Sequence, residues 1–216
     1  MFDCDGTLTD SHGSIVSAMQ QAFVLAGLEP PGDEAVSDII GMSLRGAVIA
    51  LLGEQQSASS ELLEKVMDGY RDSYREAEAE IRLFPGVRET LEKLRERGYW
   101  LGVVTGKSHS GLLRVLDTFE LSDLFLVLRT ADCTHSKPHP AMVLECMSEL
   151  GVIAEQTAVV GDALFDVQMA NAAGVRVIGV SFGVASHEQL IDAGAESVVD
   201  DFESLLAYFP SLQETV

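Results

Sequence analysis

Apolar positions follow two rhythms along the chain. Ile15, Met19, Phe23 and Ala26 recur every three to four residues, the period of one helical face, and Gly27 stands where such a helix would end. Pro30-Pro31-Gly32-Asp33 is a turn. Helical patterning resumes over about residues 34–52 and 60–78, so nothing between residues 11 and 81 reads as a strand. At Phe84-Pro85-Gly86 the rhythm changes. Helical faces at Val87, Leu91 and Leu94, at Leu112, Val115 and Phe119, and at Val143, Met147 and Leu150 now alternate with short apolar runs. Those runs, at residues 100–105, 124–128, 157–160, 175–180 and 197–199, read as strands. Gly98 and Gly151 supply helix ends and Pro140 a helix start.

Strands alternating with helices imply an α/β fold with a parallel sheet covered on both faces, and the segment after the first turn is an all-helical insertion. In such sheets ligands bind beyond the carboxyl ends of the strands, which is where candidate chemistry has to lie.

With 47% apolar residues in 216, the chain can bury a sizeable core. Its formal net charge of -20 argues against nucleic acid or an anionic membrane surface as a partner. An anionic substrate would need a local cation or metal. Three cysteines, Cys4, Cys133 and Cys146, fit neither a disulfide scaffold nor a zinc motif; Cys133 with His135 and His139 is a weak zinc signal. No basic-plus-apolar leader opens the sequence and no apolar run is long enough to span a membrane. The expected setting is a cytoplasmic one.

Four stretches carry candidate chemistry, each at the end of an expected strand. Asp3 and Asp5, two apart in extended chain, point to one side, and Gly6 permits a sharp turn after them. A solvated acidic turn explains the same residues. An EF-hand loop does not, because Leu8 and Ser14 occupy the positions that need Gly and Glu. Thr105-Gly106-Lys107-Ser108 offers a hydroxyl and free N–H groups to a phosphate, or simply starts a helix. It is not a nucleotide P-loop, since only three residues separate Gly102 from Gly106. Lys137, held extended by Pro138, is followed by Arg176 as the only later cation. Asp162 and Asp166, one helical turn apart, share a side; they also suit the positive end of a helix dipole.

Taken in order, the motifs FDCDGTLTD (2–10), VVTG (103–106), SKP (136–138) and GDALFD (161–166) resemble those of the haloacid dehalogenase superfamily of phosphohydrolases. The resemblance spans essentially the whole chain. The helical insertion is similar to the cap of the superfamily's phosphoglycolate-phosphatase-like branch. It implies a three-layer, Rossmann-like core from residues 1–10 and 82–216, with an inserted all-helical cap at 11–81. Three positions depart from the pattern. Only Met1 and Phe2 precede Asp3, so the first strand is expected to be short or to start upstream. Ala163 replaces a common Thr. Gly106 replaces an Asn common in the nearest phosphatases, which is expected to loosen substrate positioning.

The resemblance also implies roles. Asp3 is the nucleophile and Asp5 the acid–base. Thr105, the Gly106 N–H and Lys137 hold the phosphoryl group. Mg²⁺ is bound by Asp3, the Asp5 backbone carbonyl and Asp162, and Asp166 acts through a water or orients the loop. Gly41-Met42-Ser43-Leu44-Arg45 resembles a cap loop that reaches the site, where Arg45 either binds a second anionic group or is a surface arginine. The expected enzyme is a phosphatase for a small-molecule phosphate ester such as phosphoglycolate, as monomer or homodimer. A sugar phosphomutase like β-phosphoglucomutase and a non-catalytic binding module on the same scaffold are the alternatives. Thr7 fits the phosphatases better than the mutases, and filled catalytic positions argue against the module. Two carboxylates on one strand cannot flank a sugar as glycosidase residues do, and Asp5 disfavours a true dehalogenase.

Overall fold

The structure, a computed structural model, describes residues 1–57 and 59–212. After a tight turn comes β1 (Thr9–Asp10), then the four helices α1 (His12–Ala26), α2 (Asp33–Ser37), α3 (Leu44–Ser57) and α4 (Ser60–Ala77). The chain returns through β2 (Arg82–Leu83), which pairs antiparallel with β1. It then alternates: α5 (Val87–Glu96), β3 (Gly102–Thr105), α6 (His109–Thr118), β4 (Val127–Thr130), α7 (Ala141–Leu150), β5 (Ala158–Gly161), α8 (Leu164–Ala173), β6 (Arg176–Val180), α9 (His187–Asp192) and β7 (Ser197–Val199).

All strand pairs from β3 onward are parallel. Phe2 bridges Val103 on one side and Val160 on the other, so the opening residues join β3 to β5. The Phe2 N–H donates to Gly102 O at 2.8 Å, and the Asp3 N–H to Val160 O at 2.9 Å. The spatial order is therefore β4, β3, residues 1–3, β5, β6, β7. The expected short first strand is in fact a pair of single-residue bridges, yet it sits at the centre of the sheet and delivers Asp3 directly to its carboxyl edge.

Period-two alternation sorts the strand residues between two cores. Val103, Val160 and Ile178 pack with Leu91, Leu94, Leu112 and Leu116 of α5 and α6. Val104, Val159 and Val177 pack on the other face with Met142, Val143, Val167 and Met169 of α7 and α8. Helix, sheet and helix make the three layers. A third core lies within the cap helices, where Met19, Ala22 and Phe23 of α1 meet Val48, Leu63, Val66 and Met67. Among the described residues no helix is long and apolar enough to cross a membrane.

Three local expectations shift. The helical stretch 34–52 is broken: α2 ends at Ser37 and α3 starts only at Leu44. Between them Gly41 takes φ +98°, a left-handed value that releases the loop 38–43 toward the sheet edge. The run 124–128 starts as a 3₁₀ turn over Ser122–Leu124, and the strand begins at Val127. There Leu124 and Phe125 are buried by packing beside the strand rather than in it. The pairing of β1 with β2 escaped the sequence pattern because two-residue strands carry no alternation to read.

Candidate active site

The turn after Phe2 is wound on one carbonyl. Cys4 O accepts from Leu8 N at 2.8 Å and from Thr9 N at 3.0 Å, and Gly6 takes φ +83°. This winding carries Thr7 across to β5, where its hydroxyl donates to Asp162 Oδ1 at 2.7 Å. The Val184 N–H donates to Asp162 Oδ2 at 2.9 Å. A side chain at Gly6 or at Gly183 would overlap the Asp162 carboxylate, so both positions need glycine for this aspartate to reach the site.

Asp3, Asp162 and Asp166 are all buried, and carboxylate oxygens of the three lie within 4.8 Å of one another. Lys137 enters from the loop after β4. Its ammonium stands 2.6 Å from Asp3 Oδ1 and 2.7 Å from Asp166 Oδ1. Asp166 also caps its own helix, accepting from the Ala163 N–H at 3.1 Å. Burial pushes the Asp3 carboxyl up from the ordinary range, Lys137 pulls it down and Asp166 pushes it up further. Asp162 is pushed well up, by burial first and then by Asp3 and Asp166. For Lys137 burial works downward, but Asp166 and Asp3 outweigh it and hold the ammonium charged.

Fully ionised, three carboxylates against one ammonium leave two negative charges without a counter-ion. Asp162 in particular has only neutral donors. Buried uncompensated charge is costly, and a cluster of hard oxygen donors is the set that takes a divalent magnesium- or calcium-like ion. The residues fit such an ion. Among the described residues it is the single group of three or more candidate ligands that converges, and Cys133, His135 and His139 form none.

Above this floor opens a cavity of about 400 Å³ between the sheet edge and the cap. Asp3, Asp5, Thr105, Gly106 and Lys107 line its base; Met19, Met42, Arg45, Met67, Tyr70 and Arg75 are among its walls. Gly106 lies directly under the cap loop. A side chain there would overlap the carbonyl oxygens of Gly41 and Met42. The space an asparagine would occupy is filled by cap backbone, so the missing side chain is a condition of this close approach.

The candidates thus divide. Asp3, Lys137, Asp162 and Asp166 converge on one buried point, with Thr105 buried at the neighbouring strand end. The Asp5 carboxylate is not part of that cluster but faces the same cavity. It accepts from Ser11 Oγ at 2.7 Å, from Tyr74 Oη at 3.3 Å and from Lys107 Nζ at 3.0 Å. Arg45 reaches the cavity wall while facing Glu64 at 3.4 Å, with 58% of its side chain exposed. Sequence reasoning gave no partner role to Thr7, Lys107 or Tyr74. Lys107 lay inside the phosphate-turn motif and so carried a signal. Tyr74 had none beyond its place on a helical face.

Residues 1–180 match the family described as haloacid dehalogenase-like hydrolase. A phosphoglycolate phosphatase of Pseudomonas putida is 35% identical over 211 residues, which cover 95% of this chain and 77% of that protein. A protein named probable phosphatase IndB, from Dickeya dadantii, is 36% identical over 215 residues, covering 95% and 90% respectively. The crystal structure of a hydrolase from Pseudomonas syringae aligns with a TM-score of 0.87 at 27% identity, over 96% of this chain and 95% of that one. The chain therefore belongs to the haloacid dehalogenase-like hydrolase family, in its phosphoglycolate-phosphatase-like branch, and is an enzyme.

Proposed function

We propose that the protein is a Mg²⁺-dependent phosphatase that hydrolyses a small-molecule phosphate monoester through a phosphoryl group carried on Asp3. The observation that carries this reading is the convergence of Asp3, Asp162, Asp166 and Lys137 at one buried point beneath a cavity. A carboxylate on Asp3 attacks phosphorus and the ester P–O bond breaks. The leaving alkoxide takes a proton from Asp5. Water then attacks the aspartyl phosphate, Asp5 accepts its proton, and phosphate leaves with Asp3 restored. An acyl phosphate hydrolyses far more readily than an alkyl ester, so one hard step becomes two easier ones.

Lys137 and Thr105, with the Gly106 N–H, balance charge on the transferring oxygens. Asp166 holds Lys137 and the turn before α8 in place. Magnesium, bound by Asp3, the Asp5 carbonyl and Asp162, supplies further neutralisation of that charge when present. Residues 1–10 and 82–216 form the catalytic unit and 11–81 the cap; of these, residue 58 and residues 213–216 lie outside the described residues. The substrate is free in the cytoplasm, and phosphoglycolate is the leading candidate because relatives bear that name. On this reading Arg45 meets the substrate's second anionic group.

The test is phosphate release from a panel of esters, phosphoglycolate among them, with Mg²⁺ and with chelator. Mg²⁺-dependent release that disappears in Asp3→Asn is expected. Release that survives the substitution removes the reading. An Arg45→Ala variant with an unchanged KM removes the role of Arg45 alone.

A further inference from the structure

The phosphoryl-transfer reading leaves one buried cation without a task. Lys107 lies in the phosphate turn, and its side chain is only 8% exposed against 14% for Asp5. Its ammonium donates to Asp5 Oδ1 and Oδ2, both at 3.0 Å, and to the Tyr74 hydroxyl at 2.8 Å. It also stands 4.5 Å from the centre of the Tyr74 ring. The Tyr74 hydroxyl donates in turn to Asp5 Oδ1 at 3.3 Å.

The three groups come from different parts of the molecule. Asp5 belongs to the opening turn and Lys107 to the loop after β3, where the Ala131 N–H donates to its carbonyl at 3.0 Å. Tyr74 belongs to α4 in the cap. The cluster exists only while α4 rests on the sheet edge. Both oxygens of Asp5 are engaged in it, so the direction of that carboxylate depends on a contact made by the cap.

We propose that Lys107 is a positioning residue that ties the aim of the Asp5 carboxylate to cap closure, with Tyr74 as the cap's half of the contact. This rests on the acid–base role of Asp5 given above. With the cap lifted, Tyr74 leaves, water enters, and the long lysine chain loses one of its two anchors. Proton transfer then proceeds in the closed enzyme, with the substrate enclosed.

A bystander salt bridge and a positioning device differ in how they treat the leaving group. An alkyl phosphate needs a proton on its departing oxygen. A 4-nitrophenyl phosphate does not, because its phenolate leaves readily. Steady-state rates for both esters are measured on the full chain with Mg²⁺, for wild type, Lys107→Met and Tyr74→Phe. Tyr74→Phe keeps the ring and every charge, so it separates the contact from a general loss of fold. A well-placed acid contributes about 10²–10⁴ in rate. The expected result is a fall in the alkyl-to-aryl ratio of kcat/KM by about tenfold or more in Lys107→Met and by several-fold in Tyr74→Phe. Proportional loss on both esters, or an unchanged ratio, overturns the proposal while the phosphatase reading stands. A wild type that hydrolyses neither ester overturns both.

Discussion

The floor and the roof of the cavity are held by different physics. The floor is built at the sheet edge: Asp3 and Asp162 directly follow the central segment and β5, Lys137 comes from the loop after β4, and glycines make room for Asp162 and Asp166. Its charges are buried and mutually repelling, offset by one ammonium. The roof consists of helices packed in their own core, touching the sheet edge through a cap loop over Gly106 and a tyrosine on Lys107. On the proposed function, the floor carries the phosphoryl-transfer chemistry. On the same reading, the roof governs when and on what that chemistry acts. The contrast predicts that floor substitutions abolish turnover, whereas roof substitutions redistribute effects between kcat and KM.

The largest effect belongs to Asp3→Asn, which removes the attacking oxygen and keeps the shape. Phosphate release is expected to drop by at least about a thousandfold, with an unaltered circular dichroism spectrum. A residual rate within tenfold of wild type places the nucleophile elsewhere. Next comes Lys137→Met. Breaking a buried pair by deleting one partner costs about 3–5 kcal/mol, and here two carboxylates lose their counter-ion. Denaturant unfolding of the metal-free protein should register that loss. A variant as stable as wild type means that Asp3 and Asp166 simply take up protons.

Where the roof meets the floor, Gly106→Ala puts a methyl group where the carbonyls of Gly41 and Met42 lie. The cap must then sit higher. We expect KM to rise by about tenfold, the equivalent of about 1.4 kcal/mol, with a smaller change in kcat. Equal losses in both parameters would mean that the substitution acts on the floor and not through the cap loop.

The smallest effect is one of pH on the metal-free protein. Asp3 has its carboxyl raised to about 7, and Asp162 is raised too. A carboxyl raised by folding still binds its proton at a pH where the unfolded chain has released it. Unfolding then releases protons, and stability falls as pH rises above the ordinary carboxylate value of about 4. Melting temperature should therefore decline between about pH 5 and pH 8, and Mg²⁺ should restore more of it at the upper end, where the ligands are ionised. Asp162→Asn should raise the metal-free melting point at pH 8 by a few degrees, the shift that about 1 kcal/mol gives in a chain this long. It should weaken Mg²⁺ binding at the same time. A variant that melts lower without metal would mean that Asp162 stabilises the floor rather than straining it.

The same division governs what the sequence discloses. Asp3 and Asp162 sit directly after strand segments and Lys137 and Asp166 within short motifs, so motif order and strand pattern together pointed to all four, and the three-layer core followed from the alternation of elements. The Asp5 carboxylate was found as a residue but not as a direction, because its partners Ser11, Lys107 and Tyr74 come together only in three dimensions. Gly106 read as a loss of positioning in one dimension. In the fold it is the seat of the cap loop, a fact carried by the backbone of residues 41 and 42 rather than by any side chain. The break between α2 and α3 was missed because Ile39, Ile40 and Met42 continue a helical apolar pattern while packing as loop residues against the cap core.

The central claim is that Asp3 carries the phosphoryl group during turnover. Rapid acid quench during hydrolysis of a good substrate with Mg²⁺, followed by mass analysis of the peptide that spans residues 1–10, tests it most directly. The account predicts one phosphoryl group on Asp3, removed by hydroxylamine and absent in Asp3→Asn. Turnover with no phosphorylated peptide, or with the group on another residue, would contradict it.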